Sequence, residues 1–61
     1  MKYNVGDVVI TTRGLGIIEN ILELRNFVNV YEIYIVGAGK RIPLFYMDII
    51  EVIWWKILIK I

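Results

Sequence analysis

Apolar positions along this chain come in short runs rich in Val, Ile, Tyr and Thr, broken by Gly and Asn, and none repeats with the period of a long amphipathic helix. The pattern predicts strands throughout. A first strand covers Asp7 to Thr12 and ends at Arg13-Gly14-Leu15-Gly16, where two glycines allow a tight reversal. A second covers Ile17 to Leu24, with Glu19 and Glu23 on one side and Asn20, Leu22 and Leu24 on the other. Both sides carry apolar residues, as in a strongly bent strand of a small barrel. Arg25 to Asn29 form a loop, and a third strand runs from Val30 to Val36 into the hairpin connection Gly37-Ala38-Gly39-Lys40. The fourth strand is the short Arg41-Ile42, ended by Pro43, which lacks the N–H a ladder needs. Leu44 to Asp48 read as a single 3₁₀ turn after the proline, and Ile49 to Ile53 as a fifth strand that closes the barrel.

The last eight residues need a separate decision. As a helix they are apolar around the axis. As a strand they place Trp55, Ile57, Ile59 and Ile61 on one face and Lys56 and Lys60 on the other. The strand reading is the more regular and predicts an extra, sixth strand with one apolar face. Such a strand is a pairing hazard unless covered, so it either caps its own barrel or pairs with a second chain. The division is therefore residues 1–53 as a small barrel and 54–61 as a C-terminal extension, with Trp55, Ile57, Ile59 and Ile61 as self-association residues.

Composition narrows the chemistry. The chain has 61 residues, so it holds one domain at most. It contains neither Cys nor His, which removes disulfides, structural zinc and haem ligation, and Ser and Gln are missing as well. The usual nucleophile–base pairs have no parts to assemble from, so neither an enzyme nor a cofactor is expected. Gly14 and Gly16 precede no helix and no Lys-Ser or Lys-Thr, and they read as a structural turn rather than a phosphate loop. Glu19 and Glu23 lie about 13 Å apart by strand rise, too far to share a proton. Seven Lys and Arg stand against six Asp and Glu, a balance that gives no basic stripe for a phosphate backbone. The N-terminal residues have no apolar core of a signal peptide, and no apolar run approaches the ~20 residues of a membrane span, so the expected location is the cytoplasm.

The order Gly6-Asp7-Val8-Val9, then Gly14-Leu15-Gly16-Ile17-Ile18-Glu19-Asn20-Ile21, then Tyr31-Glu32-Ile33-Tyr34-Ile35, and finally Arg41-Ile42-Pro43-Leu44 with Asp48-Ile49-Ile50 resembles the RNA polymerase-interacting domain of CarD-type transcription regulators and the transcription-repair coupling factor. The likeness runs from about Val5 to about Ile53. It departs from the family at Thr12-Arg13, where a Pro and a His are common, and the family's larger second domain has no counterpart in this sequence. The resemblance implies an all-β, SH3-like or Tudor-like barrel of five strands. It also implies a transcription-regulating, protein-binding role, in which a strand edge pairs with the RNA polymerase β subunit through Leu24, Arg25 and Arg41.

Two further readings stay open. The barrel is alternatively a nucleic-acid-binding module of the KOW or Tudor kind, using Arg13, Lys40, Arg41 and the aromatic rings of Tyr34 and Trp54. A third reading is a structural subunit that forms a homo-oligomer through its C-terminal strand and binds nothing else. Tyr31 and Tyr34 fall on opposite faces of the third strand, and of the adjacent Lys40 and Arg41 only one can point outward.

Overall fold

The computed structural model describes residues 3–25 and 28–53. They form an all-β fold, one antiparallel sheet of five strands in the order β4-β3-β2-β1-β5. The strands are β1 (Val8–Thr11), β2 (Gly14–Glu23), β3 (Asn29–Ile35), β4 (Lys40–Phe45) and β5 (Ile49–Val52), with a 3₁₀ turn at Tyr46–Asp48 before β5. No helix among the described residues is long and apolar enough to cross a membrane.

Period-two alternation sets the faces. Val9 and Thr11 of β1, Gly16 and Ile18 of β2, and Tyr31, Ile33 and Ile35 of β3 are all buried. Register brings them side by side: Val9 pairs with Gly16, Ile18 with Ile33, and Gly16 with Ile35. Leu44 and Ile49 complete the core, and Tyr3, Ile21, Ile42 and Val52 pack around it. Tyr3 meets Tyr31 edge to face at 5.6 Å between ring centres, so the N-terminal segment caps one end of the core.

The sheet must curl. β4 and β5 are opposite edges, and in a flat five-stranded sheet those edges would lie about 19 Å apart at the usual strand spacing. Only Tyr46–Asp48 separates them, and the four virtual bonds from Phe45 to Ile49 reach about 15 Å at most. The two edges nevertheless do not pair among the described residues, so the sheet is open. The expected sixth strand, with Trp54, Trp55, Ile57, Ile59 and Ile61, lies outside the described residues.

Three expectations are corrected. β2 begins at Gly14, so the β1–β2 reversal is the pair Thr12-Arg13 and the glycines belong to the strand. Gly14 supplies the positive φ of 113° at the end of the turn, whereas Gly16 supplies room: a Cβ there would collide with Ile33 Cγ2 and stand 3.2 Å from Ile35 Cδ1. β4 does not stop at Pro43 but runs through it to Phe45, so the 3₁₀ turn holds Tyr46–Asp48 and not Leu44 to Asp48. An edge strand tolerates proline wherever its nitrogen faces away from the neighbour. Finally, β2 carries a bulge at Glu19, since Ile18 pairs with Ile33 and Asn20 with Glu32. The extra residue reverses the alternation. Glu23 therefore shares the face of Ile21 and Tyr31 rather than that of Glu19, whose side chain meets Arg41 on the outer face.

Candidate functional site

The unequal lengths of β1 and β2 create the site. β2 is ten residues long and pairs with β3 to its end, Glu23 against Asn29. On its other side β1 covers only Gly14 to Ile17. Two more bonds extend that ladder by one position: the Ile18 N–H donates to Asp7 O at 3.0 Å, and the Gly6 N–H to Ile18 O at 2.8 Å. From Glu19 to Glu23 no described strand lies alongside β2 on that side.

Backbone direction along this open half follows from alternation. The Leu24 N–H donates to Val28 O at 2.6 Å, so Leu24, Leu22 and Asn20 aim their backbone groups at β3, and Ile21 and Glu23 aim theirs outward. One outward donor is covered locally, because the Ile21 N–H donates to Asn20 Oδ1 at 2.9 Å. The same amide donates through Nδ2 to Glu32 Oε1 at 3.1 Å, which holds it over the edge. Leu22 and Leu24 flank the edge with 43% and 49% of their surface exposed.

The β4 edge is different. Pro43 has no N–H, so its pair with Glu32 is the non-hydrogen-bonded kind, and Arg41, Pro43 and Phe45 are the residues whose backbones face away from β3. The Phe45 N–H is taken by Asp48 Oδ2 at 3.2 Å. Arg41 is left as the only backbone donor along that edge, a poor template for a second strand. β5 is four residues long and bulged at Ile50. The open half of β2 likewise keeps one outward donor, Glu23, and differs from the β4 edge in carrying no proline and in being flanked by the exposed Leu22 and Leu24.

Leu24 and Arg25 stand at the end of this edge, both exposed. Arg41 does not join them. It lies opposite Tyr34, in the row that continues to Ile17 and Val8, with its guanidinium 3.5 Å from Glu19 Oε1. Ile17 and Leu24 are seven residues apart, about 23 Å at strand rise, so one strand-edge contact does not take in all three.

The residues of the nucleic-acid reading converge better. Arg13 sits in the β1–β2 turn and Lys40 follows the Val36–Gly39 turn, and the Val36 N–H donates to Leu15 O at 2.9 Å, holding the two turns at one end of the sheet. Tyr34 is half-buried on the outer face, between Ile17 and Arg41. Carboxylates temper this end, since Asp48 is bonded to Thr12 and Glu19 to Arg41. Of Lys40 and Arg41 it is Arg41 that shares the outer face with Tyr34. Trp54 lies outside the described residues. Among the described residues no group of three or more His, Cys, Asp or Glu is placed to hold a metal ion.

The open half of β2 and its Asn20 cover were not anticipated. The signal was present in Ile17-Ile18-Glu19-Asn20-Ile21-Leu22, where paired apolar, polar and apolar residues interrupt strict alternation and mark a bulge. Comparison with known proteins adds no relative: no family model, curated protein or solved structure matches the chain.

Proposed function

We propose that this chain is a non-catalytic interaction module of SH3-like type that acts in the cytoplasm by accepting a partner's strand along β2. The partner that the resemblance implies is the β subunit of RNA polymerase, which would make the module a regulator of transcription. The observation that carries the reading is the open edge from Glu19 to Glu23, flanked by Leu22 and Leu24 and ending at Arg25. A strand added there gains backbone hydrogen bonds from the Ile21 carbonyl and from Glu23, and selectivity from the two leucines. The single 3₁₀ turn before a last strand that returns to β1 is the element order that the barrel reading requires.

Proline at position 23 tests the site. Glu23 faces away from β3, so Glu23→Pro removes an outward N–H without breaking the β2–β3 ladder, the device that Pro43 already provides on β4. Purified RNA polymerase β subunit should bind the wild-type chain in moderate and in high salt, and at least tenfold more weakly after Glu23→Pro, while Glu23→Ala retains binding. Equal affinity for the proline variant refutes the edge. Capture from lysate with and without nuclease separates the alternative: binding that vanishes with nuclease and falls steeply with salt belongs to the end carrying Arg13, Lys40, Arg41 and Tyr34.

A further inference from the structure

A strand laid along Glu19 to Glu23 would have unlike neighbours on its two faces. On the outer face the row Leu22, Val30, Phe45 runs across β2, β3 and β4, and Leu24 lies beside Val28 in the next row. Leu22, Leu24, Val28 and Phe45 are all exposed, so the sheet is apolar there up to its open edge. On the core face the edge residues are Ile21, which packs against the core, and Glu23, which is exposed. The Glu23 carboxylate has no hydrogen-bond or ion-pair partner among the described residues. The backbone offers only the Glu23 N–H and the carbonyls of Ile21 and Glu23, because the Ile21 N–H donates to Asn20 Oδ1. With so few backbone bonds, side chains decide which strand is taken.

We infer that the partner of this edge is an extended protein segment that alternates apolar and basic residues, with Lys or Arg directly opposite Glu23 and an apolar side chain on either side of it. The inference rests on the strand-edge reading and adds to it the chemistry of the partner. Residues opposite each other across a ladder share a face, so the residue facing Glu23 meets its carboxylate. Its two neighbours in the partner point to the outer face, where they extend the apolar rows of Leu22 and Leu24. A carboxylate in the central place would instead face Glu23 with about 5 Å between Cβ atoms, a destabilising like-charge pair.

Charge around the edge points the same way. Among the described residues Asp7, Glu19, Glu23 and Glu32 border it, against Arg25 and Arg41. Three of the carboxylates are engaged: Asp7 accepts the Asn4 N–H, Glu19 is paired with Arg41, and Glu32 accepts from Asn20 Nδ2. Arg25 stands beyond Glu23, the last residue of β2. Glu23 is therefore the one carboxylate of the four that a partner meets unpaired, and the acidic excess sets this edge against a phosphate backbone. The chain as a whole carries a formal charge of +1, so a preference for a basic segment belongs to this edge and not to the net charge.

Blocked octapeptides titrated into the isotope-labelled full chain, and followed by nuclear magnetic resonance at the Glu23 amide, test the proposal. A peptide of alternating Val and Lys should move the Glu23 amide proton downfield and slow its hydrogen exchange. It should bind at least threefold more tightly than alternating Val and Glu, and at least tenfold more tightly than alternating Ser and Lys. Glu23→Lys should reverse the preference between the first two peptides, and Leu22→Ser should narrow the advantage of Val over Ser. Far-ultraviolet circular dichroism checks that each variant keeps its sheet. Equal affinity for the Lys and Glu peptides, with Glu23→Pro abolishing both, overturns the inference and leaves the strand edge standing. A Glu23 amide that none of the peptides moves refutes the strand edge, and the inference with it.

Discussion

Thr12 and Asp48, 36 residues apart, are joined twice: the Thr12 N–H donates to Asp48 O at 2.9 Å, and the Thr12 hydroxyl donates to Asp48 Oδ1 at 3.2 Å. The other carboxylate oxygen accepts the Phe45 N–H. One side chain thus ties the β1–β2 turn to the crossover that carries the chain from one sheet edge to the other.

Removing that tie should loosen the curl of the sheet. Asp48→Ala loses two charge-assisted hydrogen bonds in a partly exposed setting, and we expect a cost of about 1–2 kcal/mol. Thr12→Val loses only one of them and should cost about 0.5–1 kcal/mol. Because both act through the same bond, the double variant should be no less stable than Asp48→Ala alone, as read from urea denaturation midpoints.

Gly16 is the most tightly packed of the glycines. The alanine methyl would meet the Ile33 and Ile35 side chains and the Tyr34 carbonyl oxygen, at 3.1 Å, all on β3, and the backbone oxygen cannot turn aside as a side chain can. Gly16→Ala should destabilise the fold by about 1–3 kcal/mol, the usual range for overpacking. Gly14→Ala has room, with Ile35 Cγ2 3.8 Å away, but forces a side chain to φ 113°. Its cost is therefore backbone strain, also about 1–3 kcal/mol. Trimming the packed neighbour, in Gly16→Ala with Ile33→Ala, should give a penalty smaller than the sum of the single changes only at Gly16, as a double-mutant cycle would read.

The pair Arg41–Glu19 should matter little to stability. Its side chains are 55% and 44% exposed, and exposed pairs of this kind are worth about 0–1 kcal/mol. Arg41→Ala should leave the denaturation midpoint within about 0.5 kcal/mol of wild type, and added salt should erase the difference. Any loss of binding in Arg41→Ala then reports on contact rather than on folding.

Pro43 should act as a guard on the β4 edge. Pro43→Val restores an outward N–H and a residue that favours extended backbone. The variant should fold and yet associate through β4, seen as light scattering that grows with time at concentrations where the wild type stays clear. A variant as clear as the wild type would mean that Asp48, by holding the Phe45 N–H, blunts this edge without help.

Much of this was legible in the chain itself. The five strands, their order and the 3₁₀ turn before the last one follow from short apolar runs and their breakers. So does the placement of Tyr31 and Tyr34 on opposite faces of one strand, although only the structure shows Tyr31 to be the buried one. Less legible was anything that depends on where a partner strand stops. Leu24 and Arg25 read as one contact with Arg41, yet Arg41 lies in another row. Pro43 read as a strand end, yet it sits inside β4 with its nitrogen turned from β3. Glu19 and Glu23 read as one face until the bulge separated them.

That the protein is all-β could be read from the chain, because a strand's period of two is local and is written in each short run, whereas the faces of the second half of β2 waited on the bulge at Glu19. Which edges stay open and which are closed emerged only from the folded arrangement of the strands. The same arrangement decided that Asn20 covers Ile21 and that Asp48 holds Thr12 and Phe45. The reason is physical: pairing is long-range, and a strand's edge is exposed or covered by the register and length of neighbours far away in the chain.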